Sequence, residues 1–166
     1  PNDEVKAGFV TMVAANYLKP KESPDAWVVE VVNTMKMGDC DKLEKLLTSF
    51  FASIPYSQRR KDDEREKERY FQYTFYLVIR MISSFTVLIE KEQSEGRVDC
   101  IIETPMFVYI FEFKRDGSGT EALKQIEEKG YAREYATDNR TIYLIGCNFS
   151  SKTGTIDDWM SKGKSV

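Results

Sequence analysis

Near residue 85 the hydrophobic repeat of this chain shifts from the 3.6-residue period of a helix to the two-residue period of a strand, and few architectures accommodate that switch. Before it, apolar residues recur at helical spacing in four stretches. Residues 3–17 carry Val5, Phe9, Met12 and Val13. A second helix starts at Ser23-Pro24-Asp25, runs through Trp27, Val28, Val31, Val32 and Met35, and stops at Gly38. Asp39 caps a third, with Leu43, Leu46, Leu47, Phe50 and Phe51, which Pro55 closes. The charge run SQRRKDDEREKER, residues 57–69, then leads into a long helix with Tyr70, Phe71, Leu77, Val78, Met81 and Ile82 on its apolar side. After the switch, residues 85–92, 97–103 and 107–114 read as strands, 120–135 as a helix and 141–147 as a fourth strand. Helices followed by strand, strand, strand, helix, strand make an α/β (α+β) layered domain with a mixed sheet.

The residue inventory narrows the chemistry. There is no histidine, so neither a Ser-His-Asp nor a Cys-His nucleophile system can be built, and the usual zinc ligand sets are missing. What remains is carboxylates, lysine, hydroxyls or a bound metal. Cys40, Cys100 and Cys147 stand far apart without CxxC spacing and read as reduced core residues. The apolar runs are strand-length and interrupted by charges, which predicts no membrane span and a cytoplasmic protein.

Residues 96–114, GRVDCIIETPMFVYIFEFK, place Asp99, Glu112 and Lys114 inside strand-like sequence. If the hairpin turn centres on Pro105 and Met106, paired positions sum to about 211 and Asp99 stands opposite Glu112. Alternation puts Glu112 and Lys114 on one face with Val108 and Ile110, and Phe111 and Phe113 on the other, so both faces of this strand are expected to be buried. Two facing, partly desolvated carboxylates repel unless a cation lies between them. Oxygen ligands of this kind suit Mg²⁺, and a neighbouring ammonium can orient a water and neutralise charge on a phosphate. The plain alternative is a salt-bridge ladder in which Glu112 merely partners a lysine.

The strings GRVD, EFK, EALKQIEEKGYAREY and TIYLIGCNFS together resemble the PD-(D/E)XK nuclease superfamily, and more specifically a Bacteroidetes-type bacterial family in which such a domain follows an AAA-type ATPase-like module. The resemblance implies a restriction-endonuclease-like αβββαβ core over residues 63–166, with an N-terminal helical segment, residues 1–62, packed on it as one compact unit of a longer chain. It also implies phosphodiester hydrolysis dependent on Mg²⁺ or Mn²⁺, with DNA as the substrate and the ATPase-like module as a partner. Within the family pattern Asp99 and Glu112 hold metal, Lys114 is the motif lysine, Glu68 of EKERYFQ joins the metal ligands, and Gln125 supports the site, with Tyr131 a further candidate. Val98 stands where the family name has proline.

Other features receive plainer readings. Gly117 and Gly119 lack the lysine and hydroxyl of a phosphate loop and read as a flexible connection, and the aromatic residues from Tyr70 to Tyr76 read as helix core. With 24 basic and 27 acidic residues the net charge is −3, unlike a typical nucleic-acid-binding domain. Phosphate contacts would have to come from Arg59, Arg60, Lys61, Lys114, Arg115, Lys124, Lys129, Arg133 and Arg140. That balance leaves a second reading open: a catalytically silent nuclease-fold module that binds or regulates within a larger ATPase protein.

Overall fold

A computed structural model describes residues 24–53, 74–80 and 85–164. The helix expected over 3–17, the charge run with Glu68 and the beginning of the long helix lie outside the described residues. Helix α1 (Pro24–Met37) ends at Gly38, whose φ of +73° suits glycine and whose missing Cβ would otherwise stand 2.8 Å from the Phe107 ring. Asp39 Oδ1 accepts the Lys42 N–H at 2.9 Å and caps α2 (Cys40–Ser53), as its position in the sequence predicts. Residues 74–80 are helical and form α3.

Five strands follow, β1 (Thr86–Gln93), β2 (Gly96–Glu103), β3 (Phe107–Arg115), β4 (Thr141–Phe149) and β5 (Ile156–Lys164), with α4 (Gly119–Glu128) between β3 and β4. Their order in the sheet is the order in the chain. All neighbours are antiparallel except β3 and β4, which are parallel because α4 carries the chain back across the sheet. Helices cover both faces. On one side Val31, Met35, Leu47, Phe51 and Phe75 pack on Tyr109, Phe111 and Phe149, and on the other Ile126, Tyr131 and Tyr135 cover Ile101, Ile110 and Leu144. Central strand β3 is therefore buried on both faces, as its apolar sequence predicts, and Tyr109 satisfies its hydroxyl by donating to the Met35 carbonyl at 2.7 Å. Cys40, Cys100 and Cys147 are free and buried; burial pushes the Cys40 thiol up to about 12 and raises Cys100 and Cys147 well above the usual thiol range.

Three details depart from the sequence reading. The helix expected over 120–135 stops at Glu128, where Gly130 at φ +61° lets Tyr131 N–H bond back to Ile126 O and Gly130 N–H to Glu127 O, and only a short 3₁₀ turn (Arg133–Tyr135) follows. A fifth strand was not expected at all. The connection over 116–119 is tied down rather than loose: Asp116 N–H reaches Phe149 O, Gly117 N–H reaches Asn148 Oδ1 and Gly119 N–H reaches Asp158 Oδ2.

Candidate active site

Pairing between β2 and β3 runs from Glu103 opposite Val108 to Cys100 opposite Phe111, the sum of 211 that the turn requires. Beyond that pair the strands part. The Phe113 N–H, which a continued ladder would direct at Val98, is taken by Asp99 Oδ2 at 2.9 Å. Meanwhile β2 stays with β1 as far as Gly96, and β3 stays with β4 as far as Arg115, so a gap opens within the sheet. Val98 and Ile101 both belong to the cluster beneath α4 while Cys100 faces away, so strict alternation slips at Asp99. Its carboxylate stands in the gap instead of squarely on the α4 face. Tyr76 of α3 donates to the Asp99 carbonyl at 3.2 Å and fixes the backbone there.

Glu112 borders the same gap and is 4% exposed. Gln125 Nε2 of α4 donates to Glu112 Oε1, and Gln125 Oε1 accepts from Lys114 Nζ at 2.5 Å. Lys114 Nζ itself is 3.7 Å from Glu112 Oε1, at the outer limit of an ion pair, so the amide of Gln125 is its nearer partner. Glu112 Oε2 is buried with no hydrogen-bond partner among the described residues. Burial first, and the Asp99 charge second, push the Glu112 carboxyl up to about 8 despite the opposing pull of Lys114 and of the Asp99 backbone N–H. Burial raises Asp99 as well, against the Phe113 N–H and Lys114.

Helix α4 reaches this position through a close backbone approach. Gly146 of β4 pairs with Glu112, and a Cβ on it would stand 2.1 Å from Gly119 O and 2.5 Å from Leu123 N. No side chain fits between strand and helix. Ser118 Oγ caps the helix by accepting the Glu121 N–H at 3.1 Å, and Asp158 Oδ2 accepts the Gly119 N–H at 2.8 Å. Asn148, buried next to Lys114 in the register, holds Gly117 and donates to Asp157 Oδ1 at 2.7 Å. Gln125, on the second turn of a helix so seated, meets Glu112.

The structure thus brings Asp99, Glu112, Lys114 and Gln125 together; Glu68 lies outside the described residues. Tyr131 donates to the Arg97 carbonyl at 2.9 Å and steadies β2 two residues before Asp99. Among the described residues no group of three or more carboxylates, thiols or imidazoles forms a metal cage. The Asp99 and Glu112 pair nevertheless fits a hard divalent ion, because both donors are carboxylates, both are desolvated and one buried oxygen lacks a partner. Of the expected phosphate-contacting residues, Arg133 pairs with Glu95, Arg140 with Glu103 and Asp138, and Lys124 with Glu128. Sequence reasoning missed Gly146, Asn148, Asp158 and the bond from Tyr76. A glycine amid the apolar residues of β4 is the one legible signal among them, since strand glycines mark close backbone approach.

The PD-(D/E)XK nuclease superfamily profile matches residues 66–159, which contain all five predicted site residues. The chain belongs to the PD-(D/E)XK nuclease superfamily. Superfamily membership agrees with the five-stranded mixed sheet between helices, and proteins of the superfamily generally use divalent metals. A curated relative, "Uncharacterized protein in vnfD 5′region" of Azotobacter chroococcum mcd 1, is 31% identical over 158 residues, covering 94% of this chain. The chain spans only 30% of the length of that relative. Among the described residues no helix is long and apolar enough to cross a membrane.

Proposed function

We propose that this PD-(D/E)XK domain hydrolyses phosphodiester bonds in DNA with Mg²⁺ or Mn²⁺ held by Asp99 and Glu112, Glu68 completing the ligand set. The observation that carries the reading is the buried, unpartnered Glu112 Oε2 beside a second desolvated carboxylate, with a lysine held at the mouth of the same gap. A bound divalent ion supplies Lewis acidity to the scissile phosphate and makes a water nucleophile easier to deprotonate. Lys114 orients that water and neutralises charge developing on the phosphate oxygens. Gln125 keeps the ammonium in place and at the same time fixes the Glu112 carboxylate, so one amide aligns both groups. The finer placement in a Bacteroidetes-type family, with an AAA-type ATPase-like module ahead of this domain in a cytoplasmic protein, belongs to the same proposal.

A second reading, a catalytically silent nuclease-fold module that binds or regulates, draws on the net charge of −3 and the internal pairing of Arg133, Arg140 and Lys124. Incubation with supercoiled, linear and single-stranded DNA in Mg²⁺ or Mn²⁺ separates the two. Cleavage that falls on the order of 100-fold or more in Lys114→Met is the expected result. Intact DNA in every reaction, together with salt-sensitive DNA binding, selects the silent module instead.

A further inference from the structure

Asp99 is released from both neighbouring strands, and the release on the β1 side has its own construction. Pairing between β1 and β2 keeps one register from Thr86 opposite Glu103 to Gln93 opposite Gly96, yet the pair that this register requires at Glu90 and Asp99 does not form. Nothing has been inserted, because Ile89 opposite Cys100 and Lys91 opposite Val98 obey the same register on either side. The defect lies in one residue. Glu90 has a φ of +50°, a left-handed conformation that a residue with a side chain adopts at a cost and that is foreign to a strand. Its side chain is 53% exposed and reaches Arg97 only at 3.8 Å, so neither burial nor a close ion pair accounts for the conformation.

By the alternation of an antiparallel ladder, a regular β1 would meet the Asp99 carbonyl at Glu90. That carbonyl instead accepts from the Tyr76 hydroxyl of α3 at 3.2 Å. Tyr76 is buried, its ring centroid 6.3 Å from that of Phe75 and 6.4 Å from that of Phe113. Phe113 in turn gives its backbone N–H to Asp99 Oδ2 at 2.9 Å. Asp99 is thus gripped at both ends, its carbonyl by a side chain of α3 and its carboxylate by the backbone of β3. Irregular pairing at a sheet edge beside a site commonly re-aims a side chain, and β1 is an edge strand.

We infer that Glu90 and Tyr76 are positioning residues for Asp99: the left-handed turn at Glu90 frees the Asp99 peptide from β1, and the Tyr76 hydroxyl holds the freed carbonyl so that the carboxylate stands in the gap beside Glu112. Glu90 acts through its backbone and Tyr76 through one hydrogen bond. The consequence for metal rests on the proposed reading of Asp99 as a ligand, whereas the placement of the carboxylate belongs to the metal-free chain.

The test compares Glu90→Val, Glu90→Gly and Tyr76→Phe with the parent. Valine and glycine remove the same charge, but valine resists the left-handed region and favours the regular ladder, whereas glycine accepts φ +50°, so the difference between them reads the backbone alone. Phenylalanine keeps the ring and deletes the hydroxyl. In a chelator, amide hydrogen exchange at Phe113 should accelerate about tenfold or more in Glu90→Val and Tyr76→Phe, with Phe111, inside the ladder opposite Cys100, unchanged and Glu90→Gly like the parent. Mn²⁺ affinity, read by EPR of the free ion, should fall about tenfold or more in the same two variants and be kept in Glu90→Gly. Should Glu90→Val fail to fold, Tyr76→Phe makes both measurements. Accelerated Phe113 exchange in the variants of a parent that binds no Mn²⁺ supports the positioning and removes the metal reading alone. Phe113 exchange unchanged in Tyr76→Phe, exchange in Glu90→Val equal to that in Glu90→Gly, or a parent that binds Mn²⁺ no more tightly than Glu90→Val and Tyr76→Phe do, overturns the proposal.

Discussion

Replacing Glu112 by glutamine separates a metal-binding carboxylate from a salt-bridge partner by stability alone. A carboxyl moved from 4.5 to about 8 holds its proton more tightly in the native chain than in the unfolded one. The native state therefore binds the extra proton between those values, and the stability it contributes is whole below about pH 4.5 and lost as pH rises through about 8. Taken at face value the shift amounts to about 5 kcal/mol, at 1.36 kcal/mol for each pKa unit. Lys114, 31% exposed, opens one flank of Glu112 to solvent, and screening with local relaxation brings the expected size to about 2–3 kcal/mol. Glutamine keeps the shape and the Oε1 contact with Gln125 but cannot ionise. In a chelator, Glu112→Gln should match the parent near pH 5 and exceed its stability by that amount near pH 9. Urea unfolding followed by fluorescence of the buried Trp27 and Trp159 reads the difference across pH. Saturating Mg²⁺ or Mn²⁺ should then reverse the order, since ligand at a thousandfold excess over Kd stabilises the parent by about 4.1 kcal/mol, more than the lead of the variant, and the variant by much less. Parallel pH profiles, or a variant less stable than the parent in chelator at every pH, would refute the reasoning.

Gly146→Ala drives a methyl group to 2.1 Å from Gly119 O; a loss of about 3 kcal/mol is expected in chemical denaturation, with cleavage falling further than stability explains because Gln125 is lifted from Glu112. Ser118→Ala removes the cap on the Glu121 N–H and should cost about 1 kcal/mol in the same measurement.

The sheet was legible where a local rule operates. The β2–β3 register follows from the Pro105-Met106 turn and the alternation on either side of it as far as Cys100 opposite Phe111; the expected pairing of Asp99 with Glu112 does not form, because the strands part there and the Asp99 carboxylate takes the Phe113 N–H in the gap. Strand β5, with the sequence IDDWMSKGK, was not legible, because an edge strand buries little and here only Ile156 and Trp159 are buried. The end of α4 was misplaced because the apolar stripe continues into Tyr131 and Tyr135, which do pack on the sheet, but after the Gly130 turn rather than along the helix. The Lys114–Gln125–Glu112 chain of bonds was only half visible. Family pattern pointed to each residue, but no rule of spacing tells that the lysine prefers the amide to the carboxylate. Tethers from Asn148 and Asp158 to the 116–119 connection join residues more than 30 positions apart, beyond the reach of any periodicity.

The bare backbone at Gly146 bears on how divergence in such domains is to be judged. A descendant could keep Asp99, Glu112, Lys114 and Gln125 and still lose the contact of Gln125 with Glu112 by gaining one methyl group on a strand that contributes no charge to the site. The three signature letters would then survive as an inscription over a closed door. Where homologous sequences are sorted into active enzymes and inert scaffolds, the residue beside the glutamate on the neighbouring parallel strand has to be read together with the glutamate itself.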